Sequence, residues 1–297
     1  MSIVTDIADP IEIRSALYMP ASRPKVLSKG PSIPADAIII DLEDSVAPDV
    51  KGEARKSAVK AIQELDYGRR LRALRVNAAD TPWHVEDVAA AIDANPDAVV
   101  LPKVESDSDV LRLCALLDKH SGTDGIAIWA MIETPKAILN AEEIAAVAAQ
   151  NPRLSVFMIG NNDLARSSNM PVGSDRTYLI PWYMHLVATA HANGLTLLDG
   201  IYNNFSDLAG FEAECRQGVA MGMHGKTLIH PSQVPIANSV FSPSEEDIIQ
   251  AESIVAAFAR EENALLGVLQ VNGRMVERLH LHMAEKVLRK ASFLKDE

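Results

Sequence analysis

The sequence predicts an α/β fold, a (β/α)8 TIM barrel with a C-terminal helical lid, and three observations predict it. Short apolar runs alternate with amphipathic stretches at a spacing of about 25–35 residues, the signature of βα units. Eight such runs occur. Seven of the eight are followed directly by polar or charged residues, as expected where the C-terminal ends of barrel strands build an active site.

The candidate strands are 16–19, 37–42, 72–76, 98–102, 126–132, 155–159, 196–198 and 226–229. Amphipathic stretches at 51–66, 107–119, 137–150 and 176–193 lie between them. Thr134 suits the cap of the helix after the fifth strand, and Pro135 suits its first turn. The catalytic barrel is expected over 1–238, with 239–297 as a lid or oligomer segment. That segment reads as two helices, 245–262 and 275–290, separated by an exposed turn, Val271-Asn272-Gly273-Arg274. There is no internal repeat and no low-complexity linker.

Composition narrows the function. The 297 residues are 48% hydrophobic and only 5% aromatic, so the core must be built mostly from Ala, Val, Ile and Leu. A net charge of −12 argues against nucleic acid as a partner. No apolar run reaches the roughly 18 residues of a membrane helix, and MSIVTDIADPIEIR lacks the basic and apolar regions of a signal peptide. Cys114 and Cys215 have no metal-ligand spacing and read as reduced thiols in a cytoplasmic protein.

The chemistry concentrates at the strand ends. In AIIIDLEDSV a buried strand runs into Asp41, Glu43 and Asp44, and clustered acids in such a place call for a cation. Arg75 and Asn77 end the third strand, Lys103 and Glu105 the fourth, Glu133 the fifth and Gly160-Asn161-Asn162-Asp163 the sixth. Asp199 and His230 end the last two. Carboxylates without a Cys/His cluster suit a hard cation, Mg²⁺ or Mn²⁺. Glu133 and Asp163 are the candidate direct ligands, and Glu43 and Asp44 would hold the metal's waters.

Arg75 either balances Glu43 or binds a substrate carboxylate bidentately, the second being favoured. His230 is either a base or a structural hydrogen-bonder. Lys51 and Arg55, at i and i+4, read as a solvated helix face. Arg14-Ser15, Ser22-Arg23-Pro24-Lys25 and Lys29 form a dense basic patch in an acidic chain, suited to a phosphate-bearing ligand.

RSALYMPASRPKVLSK, ADAIIIDLEDSVAPDVKGEAR, LRVN, VLPKVE, IET, IGNNDL and GKTLIHPSQV, in this order along nearly the whole chain, resemble the citrate lyase β-subunit-like enzymes of the HpcH/HpaI aldolase superfamily. That group includes malyl-CoA lyases, citramalyl-CoA lyases and related thioesterases. The resemblance implies a homotrimer, Mg²⁺ on Glu133 and Asp163, and Arg75 on the small keto acid's carboxylate. It assigns CoA contacts to Arg14, Ser15, Arg23 and Lys29, with main-chain help around Ile229 and His230, and places Asp44 near the metal's waters. Where many members carry an acidic lid residue, usually Asp, this chain has GRMVER, which puts Glu277 at that position.

The reaction implied is Mg²⁺-dependent cleavage or formation of a C–C bond in a malyl-CoA- or citramalyl-CoA-type thioester. Its products are an acyl-CoA and glyoxylate or pyruvate, with Arg75, Glu277 and Asp44 as catalytic residues. Two readings stay open beside it: a malyl-CoA thioesterase or malate synthase-like activity on the same site, and a β subunit of a multi-subunit citrate lyase.

Overall fold

The structure, a computed structural model, describes residues 11–171, 176–263 and 266–295. These fall into two compact units, one ending at Asn238 and one beginning at Ser239.

In the first unit eight parallel strands close into a barrel in chain order, each paired with the next and the last with the first. They are β1 (Ser15–Pro20), β2 (Ala37–Asp41), β3 (Leu71–Arg75), β4 (Ala98–Leu101), β5 (Ala127–Ile132), β6 (Leu154–Ile159), β7 (Thr196–Asp199) and β8 (Gly225–Leu228). Around and between them run α1 (Pro24–Leu27), α2 (Lys51–Glu64), α3 (His84–Ala94), α4 (Asp107–Leu117), α5 (Pro135–Leu139), α6 (Ala141–Ala146), α7 (Asn161–Ser167), α8 (Ile180–Ala192), α9 (Leu208–Met221) and α10 (Val234–Val240). Thr134 caps α5, its hydroxyl accepting from Ala137 N at 3.1 Å, with Pro135 in the first turn. The helix expected over 137–150 is broken at Asn140, whose side-chain amide donates to Glu105 O at 2.8 Å. That bond competes with helix continuity.

The period of two along each strand decides which side chains meet. Ala16, Ile39, Ala73, Val100, Trp129, Met131, Met158 and Leu198 share one buried cluster inside the barrel. Two residues further along these inward faces come Tyr18, Asp41, Arg75, Glu133 and Gly160. The apolar plug thus ends in a polar layer at the strands' C-terminal ends. Truncating a filler as large as Trp129, 1% exposed, to Ala costs about 3–5 kcal/mol.

The opposite end is fastened by ion pairs. Arg14, just before β1, grips Asp36, just before β2, through Nε–Oδ2 at 2.9 Å and Nη2–Oδ1 at 2.7 Å. Arg72 grips Asp97 in the same way between β3 and β4. Arg153, before β6, bonds Asp118 and the carbonyl of Ile126.

The second unit holds α11 (Glu245–Phe258), β9 (Val268–Val271), β10 (Arg274–Glu277) and α12 (Arg278–Lys295), packed around Ala251, Ile254, Phe258, Val276 and Ala284. The two-helix expectation is corrected here. Residues 268–277 are a β-hairpin, and the last helix starts at Arg278 rather than Met275. Asn272 and Gly273 both have positive φ, 50° and 77°, the two-residue turn that matches strand twist. Among the described residues no helix is long and apolar enough to cross a membrane.

Candidate active site

The polar layer centres on Arg75, 7% exposed at the end of β3. Its Nε and Nη2 donate to the two oxygens of Asp41 at 2.6 and 2.8 Å. Its Nη1 lies 3.0 Å from Glu43 Oε2 and 3.7 Å from Asp44 Oδ2, and the guanidinium sits 4.7 Å above the Tyr18 ring. The side edge that would make a bidentate clamp on a substrate is therefore already given to Asp41. Only Nη1 faces onward. Burial opposes the charge on Arg75, but Asp41 and Tyr18 outweigh it and hold the guanidinium protonated.

Glu133 follows β5 and is 1% exposed. Its Oε1 accepts from Lys103 N at 2.7 Å. Burial, then repulsion from Glu43 and Asp163, pushes its carboxyl up to about 8. Among the described residues no Lys or Arg ion-pairs with it. Lys103 holds the neighbouring acid instead, its Nζ donating to Glu43 Oε1 at 3.0 Å. Lys103 itself has φ of 52°, a left-handed conformation costly for a side chain with a Cβ. That conformation turns its N–H toward Glu133 while its ammonium reaches Glu43.

Asp163 stands in the first turn of α7, half-buried, and takes a salt bridge from the exposed Arg166. Asp41, Glu43, Asp44, Glu133 and Asp163 thus gather at one mouth, where Arg75, Lys103 and Arg166 pair with all of them but Glu133. No three His, Cys, Asp or Glu side chains among the described residues enclose a metal by themselves. Glu133 with Asp163 is the sparse hard-oxygen set that a small divalent cation completes with waters and ligand oxygens. Buried Glu133, whose ionisation burial opposes and which no basic side chain among the described residues pairs, fits such a cation, which would stabilise its charged form.

Other expected residues are placed differently. Asp199 belongs to no mouth: next to inward Leu198 it points outward, where Arg176 Nη1 at 2.7 Å and Lys226 Nζ at 2.9 Å hold it. Arg14 and Ser15 lie at the barrel's opposite end, Arg14 bound to Asp36 and Ser15 Oγ donating to Asn238 Oδ1 at 2.6 Å. The structure does not bring them to the acids. Arg23 and Lys29 follow β1 on the mouth side and are exposed. The N–H groups of Ile229 and His230 both donate to Gln233 Oε1, and the His230 ring stacks on Phe205 at 4.8 Å. Glu277 ends β10 in the second unit, its N–H donating to His280 Nδ1 at 2.9 Å.

The solvated-face expectation for Lys51 is corrected. It is 5% exposed, and its Nζ donates to the carbonyls of Leu42 and Glu43 at 2.8 and 2.9 Å, pinning the acidic loop. Arg55 bonds buried Asp87 at 2.9 Å. A cavity of about 780 Å³ opens beside the mouth, lined by Asn161, Asn162, Tyr202 and Asn203. Another of about 650 Å³ lies on the β4–β5 side, lined by Lys103, Glu105 and Thr134. Neither is lined by Glu133 or Arg75, and the buried charges, rather than cavity size, mark the chemical centre.

Residues 14–231 match the family described as HpcH/HpaI aldolase/citrate lyase. The chain is 44% identical over 278 residues, 94% of each chain, to a (3S)-malyl-CoA thioesterase of Cereibacter sphaeroides. It is 34% identical over 305 residues, 95% of each chain, to an L-malyl-CoA/beta-methylmalyl-CoA lyase of Cereibacter sphaeroides. Among solved structures it is similar to protein CitE from Mycobacterium tuberculosis in complex with magnesium, acetoacetate and coenzyme A. That likeness has a TM-score of 0.76 and 29% identity, and covers 96% of this chain and 98% of that one.

Proposed function

Because the chain belongs to the HpcH/HpaI aldolase/citrate lyase family, we propose that it is a magnesium-dependent enzyme of malyl-type CoA thioesters whose net reaction is hydrolysis to free CoA and malate. The observation that carries the site is the buried Glu133 carboxylate, held by Lys103 N–H and left without a cationic partner. The likeness to a malyl-CoA thioesterase at 44% identity supports hydrolysis over C–C cleavage. Cleavage to acetyl-CoA and glyoxylate is the second reading, supported by the likeness to a malyl-CoA lyase at 34%.

In this reading Glu133 and Asp163 would hold Mg²⁺, with Glu43 and Asp44 placed to support its waters. When bound, the ion supplies Lewis-acid polarisation of the malyl hydroxyl and carboxylate oxygens. Arg75 offers Nη1 to that carboxylate, its guanidinium fixed beforehand by Asp41, so little side-chain freedom is lost on binding. Lys103 keeps Glu133 and Glu43 in register. Arg23 and Lys29, exposed on the mouth side, attract the phosphates of CoA. Glu277 acts as the acid or water-orienting group of the C-terminal segment, and a homotrimer belongs to the same reading.

The test is to incubate the purified protein with Mg²⁺ and malyl-, citramalyl- and citryl-CoA and identify products by mass. Free CoA with malate supports hydrolysis. Acetyl-CoA with glyoxylate moves the assignment to the lyase, and inertness toward all three removes both.

A further inference from the structure

We propose that Tyr18 is a substrate-binding residue whose hydroxyl joins Arg75 Nη1 in gripping the carboxylate of the small acid at the floor of the barrel mouth. The assignment rests on the reading above, in which the substrate carries such a carboxylate.

Two donors converge where no strong acceptor stands. Tyr18 Oη and Arg75 Nη1 each point at Met131 Sδ from 3.9 Å. A thioether sulfur is a weak acceptor. The other contacts of Arg75 do not use that hydrogen. Nε and Nη2 are given to Asp41, and Glu43 Oε2, although 3.0 Å from Nη1, makes no aligned hydrogen bond. The guanidinium lies on the Tyr18 ring, so ring and guanidinium fix each other and the two donors stay in register. Tyr18 faces the axis of a closed barrel yet keeps partial solvent exposure, which the apolar plug beneath it restricts to the mouth. Burial raises the phenol's pKa, so it remains a donor throughout the neutral range. A carboxylate oxygen entering from the mouth accepts from both groups at once and displaces the sulfur.

Tyr18→Phe separates this role from that of a mere platform, because the ring under Arg75 is kept and only the hydroxyl is lost. Malate and glyoxylate binding would be measured by titration calorimetry with Mg²⁺ present, alongside thermal unfolding, for wild type, Tyr18→Phe and Met131→Leu. Tyr18→Phe is expected to weaken both acids about ten- to a hundredfold, the loss of a hydrogen bond to a charged group. CoA affinity and Tm stay at wild-type values. Met131→Leu leaves acid binding within about twofold, since its sulfur is displaced in the complex. Undiminished acid binding by a folded Tyr18→Phe overturns the assignment alone. A wild-type protein that binds neither acid overturns the malyl reading, and this assignment with it.

Discussion

A Cβ on residue 160 would stand 2.4 Å from both the Cβ and Oε2 of Glu133, so Gly160 and the Glu133 carboxylate share a space with no room to spare. The φ of Gly160 is −94°, ordinary for any residue, and the requirement for glycine is purely steric. Gly160→Ala is expected to push Glu133 aside and weaken Mg²⁺ dependence of turnover about 10–100-fold, the scale of a disturbed ligand support. Unchanged Mg²⁺ titration curves would argue that Glu133 has no part in metal binding.

Glu133→Gln and Asp163→Asn each replace a carboxylate by a neutral amide, a poor Mg²⁺ ligand. Both should lose most activity. Glu133→Gln should also hold or raise Tm in metal-free buffer, because it removes a carboxyl whose ionisation is opposed by burial and then by Glu43 and Asp163. Thermal melts with chelator, set beside activity assays, check the pair, and full activity in either variant sinks the ligand assignment.

Arg75→Lys keeps one charge but cannot span Asp41 and the mouth together. It is expected to weaken turnover of the malyl thioester far more than binding of CoA. It should also cost about 3 kcal/mol of stability by leaving Asp41 imperfectly paired in the interior. Denaturant unfolding and steady-state kinetics separate the two effects, and unaltered malyl-thioester kinetics would make Arg75 a structural residue only.

Outside the barrel wall, Asp199→Ala should destabilise by about 3 kcal/mol, because Arg176 and Lys226, both buried, lose one of their two carboxylates and keep only Glu214. Burial alone would raise the Asp199 carboxyl, but Lys226 and Arg176 outweigh it and hold it below the ordinary value of 3.8. The unfolded chain therefore binds that proton more readily than the native one. The pair's stabilisation is complete above the ordinary value and is lost as pH falls below it through the native value. Unfolding midpoints between pH 7 and pH 3 should fall more steeply in wild type than in Asp199→Ala.

Glu277→Gln tests the C-terminal segment. If Glu277 transfers a proton or orients water, turnover falls with little change in Mg²⁺ or acyl-CoA affinity. Wild-type turnover by this variant would make it an ordinary acid of the hairpin.

The barrel was legible because short apolar runs bounded by polar residues recur eight times, and strand bounds shifted by only a residue or so. Glu133 and Arg75 were legible for the same reason, each sitting two positions beyond an inward apolar residue. Tyr18 obeys that rule too but reads as one more core aromatic, since nothing local tells a phenol facing a mouth from one facing a wall. Lys51 was misread as solvated because its acceptors are main-chain carbonyls nine and eight residues away, which carry no residue-type signal. Asp199 misled in the opposite sense: a polar strand end was visible, but its face is set by the register of β7 against β8. The Asn272-Gly273 turn was seen as a turn, but the strand after it was given to a helix and the one before it left unassigned, although an Asn-Gly pair between short Val-containing runs marks a hairpin.

The clamps of Arg14 on Asp36 and Arg72 on Asp97 lie at the end of the strands away from the acids. Apart from Arg75 and Asp41, which also tie β3 to β2, fastening and reactivity therefore draw on separate sets of residues. Substitutions in the mouth can trade one outcome for a malyl thioester against another while the clamps go on holding the strands in register. A lineage drifting between hydrolysis and carbon–carbon cleavage then crosses no unfolded intermediate. In a selection for new acyl-CoA substrates, libraries confined to the loops after β2 to β6 should stay rich in folded members. Libraries that disturb the arginines at the other end should collapse into insoluble ones whatever their mouths contain.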